Sequence, residues 1–204
     1  KEVKLGKKVE SIGTNAFSEC KSLKKITSGD KVEEIERGAF FYCASLKQVG
    51  LGKSVKEIGT AAFLCCGSLK KINLKGVRKI EKSAFDECKA LEQVTLGDNL
   101  KKIGEQAFYG CGKVTELVLP STVAKIEEDA FVDMSEGEII FWVPTGMKEY
   151  YQSLLTSKTG FKDGLVSKDR LKIGKIFLVV IMLIQFNFIL YMILVLNLHI
   201  KLMN

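Results

Sequence analysis

The stretch Ala39-Phe40-Phe41-Tyr42-Cys43-Ala44-Ser45-Leu46-Lys47-Gln48-Val49-Gly50-Leu51 decides the fold, because it is one member of a series. The pair Ala-Phe recurs at Ala16-Phe17, Ala39-Phe40, Ala62-Phe63, Ala84-Phe85, Ala107-Phe108 and Ala130-Phe131, with spacings of 23, 23, 22, 23 and 23 residues. Three residues after each phenylalanine stands Cys20, Cys43, Cys66, Cys88, Cys111 or Met134. Three further on, in the first five copies, stands Leu23, Leu46, Leu69, Leu91 or Val114. The unit continues through Ile26, Val49, Ile72, Val94 and Leu117, and two residues later through Ser28, Leu51, Leu74, Leu96 and Leu119. A short apolar pair closes each copy: Val9/Ile12, Val32/Ile35, Val55/Ile58, Val77/Ile80, Leu100/Ile103 and Val123/Ile126.

The unit is A-F-x-x-C-x-x-L-x-x-[IV]-x-L, a turn, then [VL]-x-x-I-[GE]. The L-x-x-[IV]-x-L part ends in period-2 alternation and predicts a strand, whereas A-F-x-x-C-x-x-L has the i, i+3 spacing of a short helical or 3₁₀ piece. A unit of this length cannot bury an apolar face by itself, so copies must stack into a solenoid with their strands side by side in a parallel sheet. The expected fold is therefore an α/β solenoid of about six units of 22–23 residues, with the sheet on one side. Ser28 stands where later copies have leucine, which predicts a loosened first coil.

The units resemble the BspA-like class of leucine-rich repeats, whose pattern residues 16–28, 39–51, 62–74, 84–96 and 107–119 match almost position for position. The segment Phe141-Trp142-Val143-Pro144-Thr145-Gly146, followed by Tyr150 and Tyr151, is similar to the V-P-x-G…Y segment that closes many such arrays. The resemblance implies a surface or secreted protein whose repeats serve adhesion, with a protein partner such as a host or matrix protein. The chain opens at Lys1 inside a repeat, without an initiator methionine, which reads as a fragment or a processed chain.

Composition narrows the chemistry. The only histidine is His199, beyond the repeats, so Ser-His-Asp, Cys-His and His-ligated metal mechanisms have no imidazole in the body. No C-x-x-C pair suggests zinc, and neither G-x-G-x-x-G nor a Walker lysine motif suggests a phosphate cradle. Carboxylate catalysis through Glu33 and Glu34, or through Glu127, Glu128 and Asp129, survives, although these are most simply turn and surface charges. The expectation is no enzyme, no cofactor, no metal and no small-molecule substrate. Of the net charge of +7, residues 167–204 hold +4 and the body only +3, so the basic balance is no nucleic-acid footprint.

Five cysteines share one repeat position and should form an inward column of reduced thiols, with Cys65 the one near the surface. The outward strand positions form two columns, Lys25, Gln48, Lys71, Gln93, Glu116 and Thr27, Gly50, Asn73, Thr95, Val118. The plain reading of these columns is a solvated polar face. The functional reading is a protein-binding surface, with Lys25, Thr27, Gln48, Lys71, Asn73, Gln93, Thr95 and Glu116 as its candidate residues. Aromatic anchors are missing from both columns, and Lys24, Lys47 and Lys70 add a short basic ladder.

From Ile176 to Leu198 run 23 residues without a charge, long enough as a helix to cross a bilayer. Lys168, Arg170, Lys172 and Lys175 precede this segment and Lys201 follows it, so charge bias alone places the repeats in the cytoplasm, against the surface display that the resemblance implies. A tail rich in Ile, Leu, Phe, Asn, Lys and Met without alanine is also what an AT-rich stretch translated out of frame would give. The expected organisation is a solenoid over 1–140, a closing segment over 141–166, a basic linker over 167–175, a membrane helix over 176–198 and a tail over 199–204. The expected function is protein binding or adhesion by a membrane-anchored surface protein. The alternative is a structural spacer with no ligand of its own.

Overall fold

The computed structural model describes residues 1–134, 139–156 and 159, together with the backbone of 165–167. Two kinds of strand alternate along the repeats. The longer ones are β1 (Glu2–Lys4), β3 (Lys25–Thr27), β5 (Gln48–Gly50), β7 (Lys71–Leu74), β9 (Gln93–Leu96) and β11 (Glu116–Val118). Between them lie two-residue strands: β2 (Ser11–Ile12), β4 (Glu34–Ile35), β6 (Glu57–Ile58), β8 (Lys79–Ile80), β10 (Lys102–Ile103) and β12 (Lys125–Ile126). The chain then forms β13 (Ile140–Val143), helix α1 (Lys148–Leu154) and β14 (Leu165–Ser167). The segment 176–198 lies outside the described residues, and no described helix is long and apolar enough to cross a membrane.

Each coil thus carries two strands, and the V-x-x-I pair that closes each repeat in the sequence is the second. These short strands form a continuous parallel sheet in the order β12-β10-β8-β6-β4-β2. The longer strands pair in parallel as β1-β3-β5, β7-β9 and β11-β13, and β14 lies on the other side of β13. Equivalent residues are in register, for example Ile26 with Val49, Ile72 with Val94 and Ile35 with Ile58. The single 22-residue step falls in the turn after β7. Val77 donates to the carbonyl of the strand residue Leu74, whereas Val55 and Leu100 reach Gly52 and Gly97 beyond their strands.

The A-F-x-x-C segment is a succession of turns, which corrects the helical reading. Residues before each Ala-Phe pair and before each Cys position adopt left-handed backbone, with φ of +55° at Ala61, +59° at Cys65 and +57° at Tyr42. An α-helix cannot pass through such residues. Half of the backbone donors close local turns, as in Ala62→Gly59, Leu64→Ala61 and Cys66→Phe63. The alternate donors cross to the next coil, as in Ala61→Lys82, Phe63→Ala84 and Cys65→Asp86. The i, i+3 apolar spacing is genuine, but it reports a ladder between coils. The fold is therefore a parallel β-solenoid, and α1 in the closing segment is the one α-helix among the described residues.

The interior is built of columns. Phe17, Phe40, Phe63, Phe85, Phe108 and Phe131 stack with ring centroids 5.4, 5.0, 5.2, 5.3 and 6.2 Å apart and near-parallel planes. The stack ends on Phe141, whose ring is tilted 58° to Phe131. The cysteines lie beside it, and their role exceeds that of a small hydrophobe. The thiols of Cys43, Cys66, Cys88 and Cys111 donate to the carbonyls of Phe17, Phe40, Phe63 and Phe85 at 3.0–3.2 Å. Thiol donors are weak, but they satisfy carbonyls that would otherwise have only a local partner. Burial pushes the Cys43 thiol up to about 11 and the Cys66, Cys88 and Cys111 thiols further, so these are inert protonated groups. Met134 fills the sixth position and is buried.

Two expectations for the first coil change. Cys20 is exposed, so Cys65 is not alone in reaching solvent. Ser28 does not loosen the first coil: its hydroxyl accepts from the Gly52 backbone at 2.7 Å and ties that turn to the next coil. The [GE] position forms a column in which Gly13, Gly59 and Gly104 alternate with Glu36, Glu81 and Glu127. A Cβ at Gly104 would stand 2.6 Å from the Glu81 backbone and one at Gly59 2.9 Å from the Glu36 backbone, so inside the array these two positions have no room for a side chain. Glu36 folds back over Gly13 to accept from Thr14, and Glu127 folds over Gly104 to accept from the Glu105 backbone.

At the other end the array is closed. β13 joins the longer-strand sheet beside β11, and the Tyr151 hydroxyl, fully buried, donates to the Pro120 carbonyl. Tyr150 donates to Val123, and Phe131 reaches Thr159 through its backbone.

Candidate functional site

The candidate residues lie on the longer strands because those strands turn alternate side chains inward. In β7, Ile72 and Leu74 are buried while Lys71 and Asn73 are exposed. Pairing then converts sequence positions into ladders. Glu2, Lys25 and Gln48 lie side by side, as do Lys4, Thr27 and Gly50. Lys71 and Asn73 lie beside Gln93 and Thr95. Glu116 stands at the corresponding position of β11, next to Ile140 of β13. All eight candidates therefore lie on one face of the longer-strand side, in three separately hydrogen-bonded groups of strands.

This face changes character along the array. At the N-terminal end Lys24, Lys25, Lys47, Lys70 and Lys71 gather, and among the described residues only Lys25 has an acidic partner, Glu2, at 4.0 Å. A shallow depression of about 290 Å³ lies among them, lined by Lys25, Thr27, Gln48, Val49, Gly50 and Lys71. Gly50 makes the dip, since the ladder has no side chain there and its neighbour Thr27 stands at van der Waals distance from where a Cβ would be. At the C-terminal end the ladders finish on Val118, Ile140 and Trp142, of which Val118 and Ile140 are 43% and 37% exposed. The Trp142 indole N–H donates to the Glu116 carboxylate at 2.8 Å, which fixes the ring on the surface.

Trp142 and Ile140 are what the repeat reading missed. They follow the sixth Ala-Phe pair, where Met134 and Gly137 replace the Cys and Leu of the pattern, and the pairing of β13 with β11 brings them into the ladders, which adds an aromatic ring to a face whose two columns hold none. The available signal was the short apolar run Ile140-Phe141-Trp142-Val143 before Pro144, whose β-branched and aromatic residues fit one more strand.

The carboxylates considered for catalysis lie elsewhere, on or beside the short-strand sheet. Glu33 is ion-paired with Lys56 at 2.7 Å, and it lines an open groove of about 680 Å³ with Glu10, Asp30 and Glu34, all exposed. The hydrogen bond from Lys125, aided by Lys102, holds the Glu127 carboxyl below its ordinary range, the reverse of what a general acid requires. No group of His, Cys, Asp and Glu among the described residues is placed to hold a metal ion. What the longer-strand face offers chemically is noncovalent contact: unpaired ammonium groups, amides and hydroxyls at one end and an apolar ring at the other.

Comparison with known proteins agrees with this architecture. The model of the BspA type leucine rich repeat region matches in six copies over residues 1–77 and 62–174. A leucine rich repeat protein of T. pallidum is similar in structure, with a TM-score of 0.65 at 23% identity, over 79% of this chain and 86% of that one. A leucine-rich repeat protein from Eubacterium ventriosum aligns with a TM-score of 0.53 at 25% identity, over 67% of this chain and 43% of that longer protein. No curated protein sequence matches the chain. The repeat model spans more than half of the chain, the stacked coils have its period, and the chain belongs to the BspA type leucine rich repeat family.

Proposed function

We propose that this chain is a non-enzymatic binding module of a surface leucine-rich-repeat protein, and that it engages a protein partner through the face of its longer strands. The observation that carries this reading is the register of those strands, which presents Lys25, Thr27, Gln48, Lys71, Asn73, Gln93, Thr95 and Glu116 on one face over a rigid core. A surface held by stacked coils is ordered before a partner arrives, so association does not have to order it. Surface display, membrane anchoring through 176–198 and a host or matrix partner complete the proposal, and they rest on the family resemblance and the sequence. The proposal assigns no cofactor, nucleic acid or small-molecule substrate.

The test is binding of host-surface and matrix proteins to the whole chain and to variants with an intact fold. Lys71→Glu or Gln93→Arg should weaken binding while leaving the unfolding transition unchanged. Arg78→Glu and Lys101→Glu, on the short-strand sheet, should not. If the latter pair abolished binding and the former did not, the wrong surface would have been assigned. No binding to any such protein would favour the spacer reading. Protease protection on intact cells reads out the display.

A further inference from the structure

We infer that the longer-strand face is built for an extended acidic polypeptide segment that carries an apolar side chain at one end. This rests on the proposed sheet-face reading and adds the chemistry of the partner.

The first observation is charge. On the outward positions of β3 and β7 and the residues just before β3, β5 and β7 lie Lys24, Lys25, Lys47, Lys70 and Lys71, of which Lys25 is half-buried and the others exposed. Among the described residues four of these have no acidic partner, and the fifth has Glu2 at the edge of ion-pair distance, 4.0 Å. The short-strand side differs: there Lys56, Lys79, Lys82, Lys102 and Lys125 are each paired with a glutamate, and among the described residues Arg78 and Lys101 remain unpaired between them. Lysines left unpaired in a row beside a depression present ammonium donors to a carboxylate-bearing chain. Gly50 lets such a chain approach the sheet between Lys25 and Lys71.

The second observation is the apolar end. Exposed Val118 and Ile140 flank the half-buried Trp142 in a group contributed by two paired strands, with the indole held by Glu116. An aromatic ring fixed in place, with an aliphatic neighbour on each side, suits a leucine-like side chain, and it loses little side-chain entropy when covered. Glu116 is thereby a positioning residue for Trp142.

The spacing links the two. From β13 to β7 is three coil steps and from β13 to β3 five, about 14 and 24 Å at roughly 4.8 Å per step. An extended chain advances about 3.3 Å per residue, so acidic residues belong about four to seven positions from the apolar one. The partner segment therefore lies along the array, across the strands.

The experiment uses the whole chain and three fluorescein-labelled synthetic peptides. One carries a leucine pair at one end and aspartates about four to seven positions away, one has lysines in place of the aspartates, and one has the aspartates beside the leucines. Trp142 is the single tryptophan of the chain, so its emission reports on the apolar end directly. The first peptide should bind and shift Trp142 emission to shorter wavelength, and its affinity should fall at least about tenfold between roughly 50 and 500 mM salt. Lys47→Glu with Lys71→Glu should weaken it about tenfold while keeping the emission of the free protein, and the lysine peptide should fail to bind. Glu116→Gln should blunt the emission response more than it weakens binding.

Equal affinity for the three peptides, or binding without an emission change, would overturn the inference. If peptide selectivity were lost but face variants still abolished binding of a protein partner, only the partner chemistry assigned here would fall. If Arg78→Glu with Lys101→Glu removed the binding, the sheet-face reading would fall with it.

Discussion

The first coil and the third have nearly the same sequence pattern and very different surroundings. Phe63 and Cys66 are fully buried, whereas Phe17 is half-buried and Cys20 is exposed. Gly59 faces backbone atoms 2.9 Å from a Cβ site, whereas the equivalent site at Gly13 meets only a side-chain oxygen of Glu36 at 4.0 Å. In a solenoid burial is supplied by the neighbouring coil, so a repeat position has no fixed energetic value. Its value depends on what lies above and below it.

Substitution of the stacked phenylalanines tests this contrast most strongly. Phe63→Ala should destabilise by about 3–5 kcal/mol, while Phe17→Ala, with solvent already on one side, should cost about 1–2 kcal/mol. Denaturant unfolding of the two variants measures the difference, and equal costs would show that the first coil is covered in solution. Glycine is next. Gly59→Ala or Gly104→Ala should cost about 1–3 kcal/mol because backbone must move, and Gly13→Ala should be close to neutral.

The thiols give a smaller effect with a defined sign. Burial raises the folded-state pKa of Cys66, Cys88 and Cys111 above the ordinary value of 9.0. A raised pKa means that the folded chain holds its protons where the unfolded chain loses them. The contribution is therefore fully present below pH 9 and is lost as pH rises beyond it, by roughly 1 kcal/mol per pH unit for each thiol. Stability measured under reducing conditions should fall above pH 9, and replacing these three cysteines by alanine should flatten that slope. Native labelling sharpens the same comparison: a thiol reagent should modify Cys20 and Cys65 in the folded chain and reach the buried thiols only on unfolding. The smallest effect belongs to Glu36, whose carboxyl is held below its ordinary range by the Thr14 hydroxyl and backbone. That contribution is present above about pH 4.5 and fades as pH falls, so Glu36→Gln should reduce the acid sensitivity slightly.

Much of the fold was legible in the residues. The 23-residue step, the Ala-Phe, Cys and Leu columns and the outward positions of the longer strands all follow from periodicity, since each inward column repeats one residue type. The helical reading of A-F-x-x-C failed for a physical reason. Ala61, Tyr42 and Cys65 carry no signal of the left-handed backbone they adopt, and that conformation is stabilised by bonds to the next coil. The second sheet was missed because two residues are too few to show alternation. In the candidate face the lysine and amide ladders could be read directly, but the aromatic end could not, because the sixth copy loses its Cys and Leu markers at Met134 and Gly137 and only the pairing of β13 fixes the register of Trp142.

The sequence by itself determined the period, the composition of the core and the absence of an imidazole from the repeats, since these depend on which residues recur and where. Only the tertiary structure decided which copies of a repeated residue are buried, which carbonyls the thiols meet, and that Trp142 finishes the face begun by Lys25. Those outcomes depend on contacts between coils about 23 residues apart and on a closing strand of different sequence, and the periodicity of a single copy holds no record of them.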